Sequence, residues 1–291
     1  MLRKELIKAV KHLELVARRA VNDQLAGQYQ SVFKGRGMDF TDVREYQPGD
    51  DIRVIDWNVS ARMNDLYIKQ FVEERELTVL LLVDASGSQT FGTYNRRKQE
   101  TAAELAALIA FSAIKNNDRV GLITFTDQIE AFIPPKKGRK HVLRVITEIL
   151  DFTPERSGTD IPAALEYLSR ITSKRALTFV ISDFQDTDFE TSLSIANRRH
   201  EIIPLVLEDP METELPDMGL VPFEDPETGE IFTVDTSSKR VRSEFRSEAL
   251  RRKKQLVRTF RKHKVDHIPI RTDASHIEPL VQYFRTRSKR Y

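Results

Sequence analysis

Leu77-Thr-Val-Leu-Leu-Leu-Val-Asp-Ala-Ser-Gly-Ser88 decides the fold. Its first seven residues are apolar apart from Thr78, with charge before them and a glycine turn after them. Such a run predicts a strand buried on both faces, the pattern of a central strand in a parallel sheet. It stops at Asp84-Ala85-Ser86-Gly87-Ser88, placing a carboxylate and two hydroxyls on a tight turn at the strand's carboxyl end. Open α/β sheets bind ligands at that edge. Three hard oxygen donors in five residues suit Mg²⁺, Ca²⁺ or Mn²⁺. They also suit a helix-capping turn, because Asp and Ser are good caps, and the stretch alone leaves both readings open.

Outward from this strand the chain repeats the same grammar. Residues 119–125, 177–182 and 202–207 read as further buried strands, the last despite Pro204. Residues 129–133 form a short strand that Pro134-Pro135 should stop. Helices are expected over 96–115, 139–150 and 161–169, the last opened by Ser157-Gly158-Thr159-Asp160. Alternating strands and helices with short connections predict an α/β fold with a doubly wound, mainly parallel sheet. Residues 265–270 and 277–284 add a final strand and helix. Within this frame, 210–226 is rich in Pro and acid, and 220–234 reads as a hairpin turning at 225–229. Residues 239–264 form a basic helix with a narrow apolar seam.

The amino-terminal part differs. Residues 2–24 carry apolar side chains at helical spacing between Lys and Arg, an amphipathic helix suited to packing on the body. Residues 33–40 are a glycine-punctuated basic loop, read as an exposed turn. Then comes Arg44-Glu-Tyr-Gln-Pro-Gly-Asp-Asp-Ile-Arg-Val-Ile-Asp-Trp57, followed by Ser60-Ala-Arg62. Arg44, Arg53 and Arg62 alternate here with Asp50, Asp51 and Asp56 around the single Trp, which predicts an internal network of ion pairs and hydrogen bonds. Residues 66–72 alternate as a strand leading into acidic 73–76. The expected organisation is therefore an N-terminal extension over 1–74, packed on a main body of 75–291 that carries a β-hairpin insertion at 210–238.

Composition excludes several classes. The 291 residues contain no Cys, so disulfides, thiolate zinc sites and cysteine nucleophiles are ruled out; this fits a cytoplasmic protein. No run is apolar enough to cross a bilayer, and the start is charged rather than secretory. Lys plus Arg number 46 against 44 for Asp plus Glu, so no global charge demands nucleic acid. The six His are dispersed without ligand spacing.

Three distant features fall at strand–helix edges: Asp84, Ser86 and Ser88; Thr159 in its Gly-Thr turn; and Asp183 after the strand 177–182. Their order resembles the metal-ion-dependent adhesion site (MIDAS) of von Willebrand factor A-like domains, which are Rossmann-like. The resemblance implies that Ser86, Ser88 and Thr159 offer hydroxyls directly to a divalent cation, Mg²⁺ first and Mn²⁺ or Ca²⁺ as alternatives. It implies that Asp84 and Asp183 act mainly through water, and that a partner carboxylate fills an open position. The family pattern has Gly after the last Asp; here Phe184-Gln185-Asp186 follows, leaving Asp186 as a possible extra ligand. The box from Arg44 to Arg62 resembles the signature of the domain-of-unknown-function 58 family, in its short form without transmembrane helices. That resemblance implies a partner of the MoxR type, an AAA+ ATPase, with a client protein, in a chaperone-like or metal-insertion system.

Competing readings find less support. The dinucleotide fingerprint and the phosphate loop are both absent. Metal-assisted hydrolysis lacks an evident general base, so the chain is read as non-enzymatic. The basic helix over 239–264 could contact nucleic acid, but without aromatic interleaving it reads as a solvated face.

Overall fold

The computed structural model describes residues 3–21, 25, 29, 39–72, 76–92, 97–226 and 229–289. The expected features at 22–24, 33–38, 73–75 and Arg96, and part of the hairpin turn at 227–228, lie outside the described residues.

Strand β3 (Thr78–Asp84) is central, as its apolar run requires. Parallel to it lie β4 (Arg119–Phe125) on one side and β6 (Leu177–Ser182) on the other. Beyond β6 come β7 (Glu201–Glu208) and β10 (Ile268–Arg271), also parallel, while β5 (Ile129–Lys136) closes the far edge antiparallel to β4. The order β10-β7-β6-β3-β4-β5 is the doubly wound arrangement expected from the sequence. The chain first leaves β3 toward β4 and then returns to β6 on the opposite side. The carboxyl ends of β3 and β6 thus flank the point where strand order reverses, which is where such sheets leave a crevice.

Period-two alternation divides the core. Val79, Leu81 and Val83 face one side with Leu105, Ile109, Val145 and Phe284. Leu80 and Leu82 face the other with Leu165, Leu168, Leu193 and Phe260. The first face is covered by α1 (Arg3–Ala20), α3 (Lys98–Lys115), α4 (Arg139–Asp151) and α8 (Ile277–Ser288). The second is covered by α5 (Ile161–Ile171), α6 (Glu190–Arg199) and α7 (Lys239–Lys262). Leu13, Ala17 and Ala20 of α1 join the first core, so the amphipathic start is part of the body.

One expectation about proline changes and one holds. Strand β5 runs through Pro134 and Pro135 to Lys136. It is an edge strand, and an edge needs no donor on its solvent side. Pro204 stands beside Val180 within β7, whose pairing with β10 begins only at Leu205. Helix α6 was not legible, because Leu193 and Ala196 are its only buried residues. The insertion is a hairpin of β8 (Leu220–Glu224) and β9 (Ile231–Asp235). Residues 66–72 do not join the main sheet; β2 (Tyr67–Val72) pairs with β1 (Asp39–Glu45), with α2 (Trp57–Met63) between them in sequence. Among the described residues no helix is long and apolar enough to cross a membrane.

Candidate functional site

The turn after β3 is buried and almost fully bonded. Asp84 is 2% exposed; its Oδ1 accepts from the Ser86 backbone N–H at 2.9 Å and its Oδ2 from the Ser182 hydroxyl at 2.6 Å. Ser182 ends β6, so this bond ties the two strand ends across the crevice. The hydroxyls of Ser86 and Ser88 lie 3.0 Å apart, and both are buried. Burial, and then the charge of Asp183, push the Asp84 carboxyl up to about 7 against the pull of Ser182 and Ser86. A cation placed beside it would favour the carboxylate again.

The second segment is fastened to the first. The Gly87 N–H donates to the Ser157 carbonyl at 2.8 Å, which brings the 157–160 loop against the turn. Thr159 stands on that loop, half-buried, just before Asp160 caps α5. Asp186 accepts from the Ile161 N–H at 2.7 Å, so this possible extra ligand is spent holding the start of α5. The loop after β6 and the loop before α5 are locked together by that bond.

The donors on the β3 turn fit a hard cation. Adjacent oxygens on an octahedral Mg²⁺, bound at roughly 2.0–2.1 Å, lie about 2.9 Å apart, which is close to the Ser86–Ser88 separation. Gln89 Oε1 is also buried beside them with no hydrogen-bond partner among the described residues. Among those residues no three acidic or histidine side chains are gathered to hold a metal, so a cation here would depend on hydroxyls. The site is covered. A Cβ on Gly87 would fall 2.1 Å from the Pro226 carbonyl, so the hairpin tip rests directly on the turn.

Asp183 has a different partner. The Lys98 ammonium, at the start of α3 and fully buried, donates to Asp183 Oδ2 at 2.7 Å and to Glu212 Oε1 at 2.5 Å. Burial opposes the lysine's charge, but Asp183 and Glu212 outweigh it and hold its pKa above the ordinary value. Glu212 belongs to a capping box with Asp209 at the root of the insertion. A cleft of about 720 Å³ opens on the other side of Asp183 and Glu212, between the strand ends and α7. Sequence reasoning missed Lys98 and Glu212. One signal was available: a lysine in the first turn of a helix opposes the helix dipole, and one followed by an Ala- and Leu-rich face needs buried acids.

Phe184 stands where the adhesion-site pattern has glycine, and it takes a glycine-like backbone conformation. Its φ is +55°, in the left-handed region that Gly enters freely. A bulky residue there costs about 1–2 kcal/mol. The ring is buried and meets Phe260 edge-on at 5.4 Å and Phe189 at 5.7 Å. Aromatic packing therefore holds the backbone turn that presents Asp183.

The Arg/Asp/Trp box departs from the internal network expected of it. Arg44 binds Asp50 through two bonds of 2.7 and 2.8 Å and holds its carboxyl below the usual range. Asp51 caps a one-turn 3-10 helix, and Asp56 caps α2 through Asn58 and Val59. Arg53 and Arg62 are exposed, and Trp57 is 67% exposed, so the box is built from caps and turns facing solvent. The basic helix α7 is also less cationic than its sequence. Arg242 pairs with Asp217, Arg246 with Glu214, Lys253 with Glu208 and Lys262 with Glu190.

Comparison with known proteins agrees with the box. The uncharacterized protein Rv1480 of Mycobacterium tuberculosis is 29% identical over 290 residues, covering 98% of this chain and 90% of its own. Two solved structures resemble the fold. BatB from Bacteroides thetaiotaomicron shows 16% identity and a TM-score of 0.48, over 73% of this chain and 99% of its own. An aerotolerance-related membrane protein from Bacteroides fragilis shows 15% identity and the same score of 0.48, over 74% and 100%. The family model described as "Protein of unknown function DUF58" matches residues 42–255, which take in the whole box, the β3 turn, Thr159, Asp183 and the insertion. The chain belongs to the DUF58 family.

Proposed function

We propose that the chain is a non-enzymatic protein-interaction module of von Willebrand factor A-like type that docks a partner at the carboxyl edge of its sheet. The observation that carries this is the pair of buried hydroxyls of Ser86 and Ser88, 3.0 Å apart beside Asp84 at the reversal of strand order. A divalent cation, Mg²⁺ in the cell, would be held there by Ser86, Ser88 and Thr159, with Asp84 balancing charge and Asp183 acting from further out. Such a shell carries little negative charge, so a partner carboxylate completes it. The hairpin tip on Gly87 must lift for that carboxylate to enter. The resemblance of the Arg44–Arg62 box to its family supports a MoxR-type AAA+ ATPase as the partner, and the cysteine-free composition suits the cytoplasm.

The test is capture of a purified MoxR-type ATPase by the wild type, by Asp84→Ala and by Ser86→Ala, with Mg²⁺ or with EDTA. Neither substitution opens a large core cavity, so both proteins should keep the wild-type circular dichroism. Loss of capture in both variants, and in wild type with EDTA, is the expected result. Undiminished capture by the folded variants would move docking to another surface.

A further inference from the structure

We propose that Lys98 is a built-in cation of this site: its buried ammonium neutralises Asp183 and Glu212, keeps Asp183 from ligating a divalent ion directly, and so sets a low intrinsic affinity of the site for metal. The inference rests on the reading that the Ser86–Ser88 turn can hold a cation.

The geometry is specific. The Lys98 side chain is 0% exposed, and its nitrogen lies 2.7 Å from one carboxylate and 2.5 Å from another. The acids come from separate elements: Asp183 from the end of β6, Glu212 from the 3-10 turn at the root of the insertion. Three distant segments therefore converge on one ammonium. A buried ion pair persists only where its charges are matched and hydrogen-bonded, and a lysine in the first turn of α3 gains nothing from the helix dipole. Asp183 is thus committed, leaving Asp84 as the one carboxylate on the β3 turn beside the hydroxyl pair. A divalent ion settling on Ser86 and Ser88 would meet both a charge-poor shell and a fixed positive charge close behind Asp183. The Glu212 side chain is 24% exposed and lines the cleft with Asp183, so loss of the ammonium would leave two neighbouring, unneutralised carboxylates at its wall. Carboxylate pairs with nearby hydroxyls are the donor chemistry that Mg²⁺, Mn²⁺ and Ca²⁺ prefer.

The experiment is a Mn²⁺ titration followed by electron paramagnetic resonance, with melting curves at matched Mn²⁺ concentrations, on wild type, Lys98→Met and Lys98→Met/Glu212→Gln. The double variant removes one of the freed carboxylates and keeps the comparison available if the single variant does not fold. Lys98→Met should bind Mn²⁺ at least tenfold more tightly than wild type, with a larger melting-temperature rise on adding Mn²⁺. Adding Asp183→Asn to either variant should abolish the gain. Binding in the folded variants no tighter than in wild type, or a gain that survives Asp183→Asn, would overturn the proposal. The outcomes separate from those of the docking reading. Tight binding only in the variants, with none in wild type under millimolar Mn²⁺, sinks metal-dependent docking and leaves Lys98's role standing. Equal binding in all proteins does the reverse.

Discussion

The turn 84–88 and the box 44–62 look alike as sequence: both are short, polar and dense in acids or hydroxyls. They are opposites in the fold. Asp84, Ser86 and Ser88 are buried at the meeting of strand ends, whereas Asp51, Arg53, Trp57 and Arg62 face solvent. The difference comes from what precedes each. The turn follows five consecutive buried residues, Val79 to Val83, so its polar groups are drawn inside and must find partners there. The box is interleaved with polar residues; Ile55 and Ser60 are its buried residues, and Ile55 bridges to Ile68 of β2. Dense charge in a sequence predicts capping turns as readily as a buried network; the adjacent hydrophobic run decides between them.

Five substitutions at four positions sharpen this contrast, and the largest effect belongs to the buried side. Phe184→Ala should cost about 3–5 kcal/mol through the lost ring. Phe184→Gly should be less harmful than Phe184→Ala by about 1 kcal/mol, because Gly relieves the left-handed backbone. Denaturant melts of the two variants check the order; Gly the worse of the pair would mean that backbone strain is not stored there.

Asp84→Ala comes next. It strips acceptors from the Ser182 hydroxyl and the Ser86 N–H, a loss of about 1–3 kcal/mol. By contrast Arg53→Ala should lie within about 0.5 kcal/mol of wild type, as exposed positions do, and Asp56→Ala should cost about 1 kcal/mol as a lost cap. Thermal melts of the three variants would break the comparison if Arg53→Ala proved as damaging as Asp84→Ala.

The smallest effect is a pH dependence away from both regions. Asp118 follows α3, accepting from the Leu77 N–H at 2.8 Å and the Tyr29 hydroxyl at 3.1 Å, and burial raises its pKa to about 6. An acid whose folded pKa is raised binds more protons folded than unfolded between about pH 4 and 6, so stability falls as pH rises through that window. With solvent screening the fall attributable to Asp118 is about 1–2 kcal/mol. Asp118→Asn should remove this part of the slope; chemical melts at pH 4.5 and 7 with an unchanged difference would refute the assignment.

Much of this was legible in the sequence. β3, β4 and β6 were read because continuous apolar runs admit few other interpretations, and Asp84, Ser86 and Ser88 because they end such a run. The Lys98 pairs were hidden, since they span 85 and 114 residues and leave no local pattern. Phe184 could be seen to replace a glycine, but only the fold reveals that Phe189 and Phe260 hold its backbone in the glycine-like conformation. The cover over the turn was equally hidden, because Pro226 and Gly87 are brought together by the insertion's path rather than by any spacing.

Hydrogen exchange of the chain bound to a purified MoxR-type ATPase, with Mg²⁺ and with EDTA, tests the central claim most directly. The account predicts that the ATPase changes exchange at 84–90, 157–160 and the hairpin strands β8 and β9, and that EDTA abolishes the change. Ile52, Trp57, Met63 and Leu66 make the box a competing exposed apolar surface. Protection confined to that box and indifferent to EDTA would contradict docking at the sheet edge.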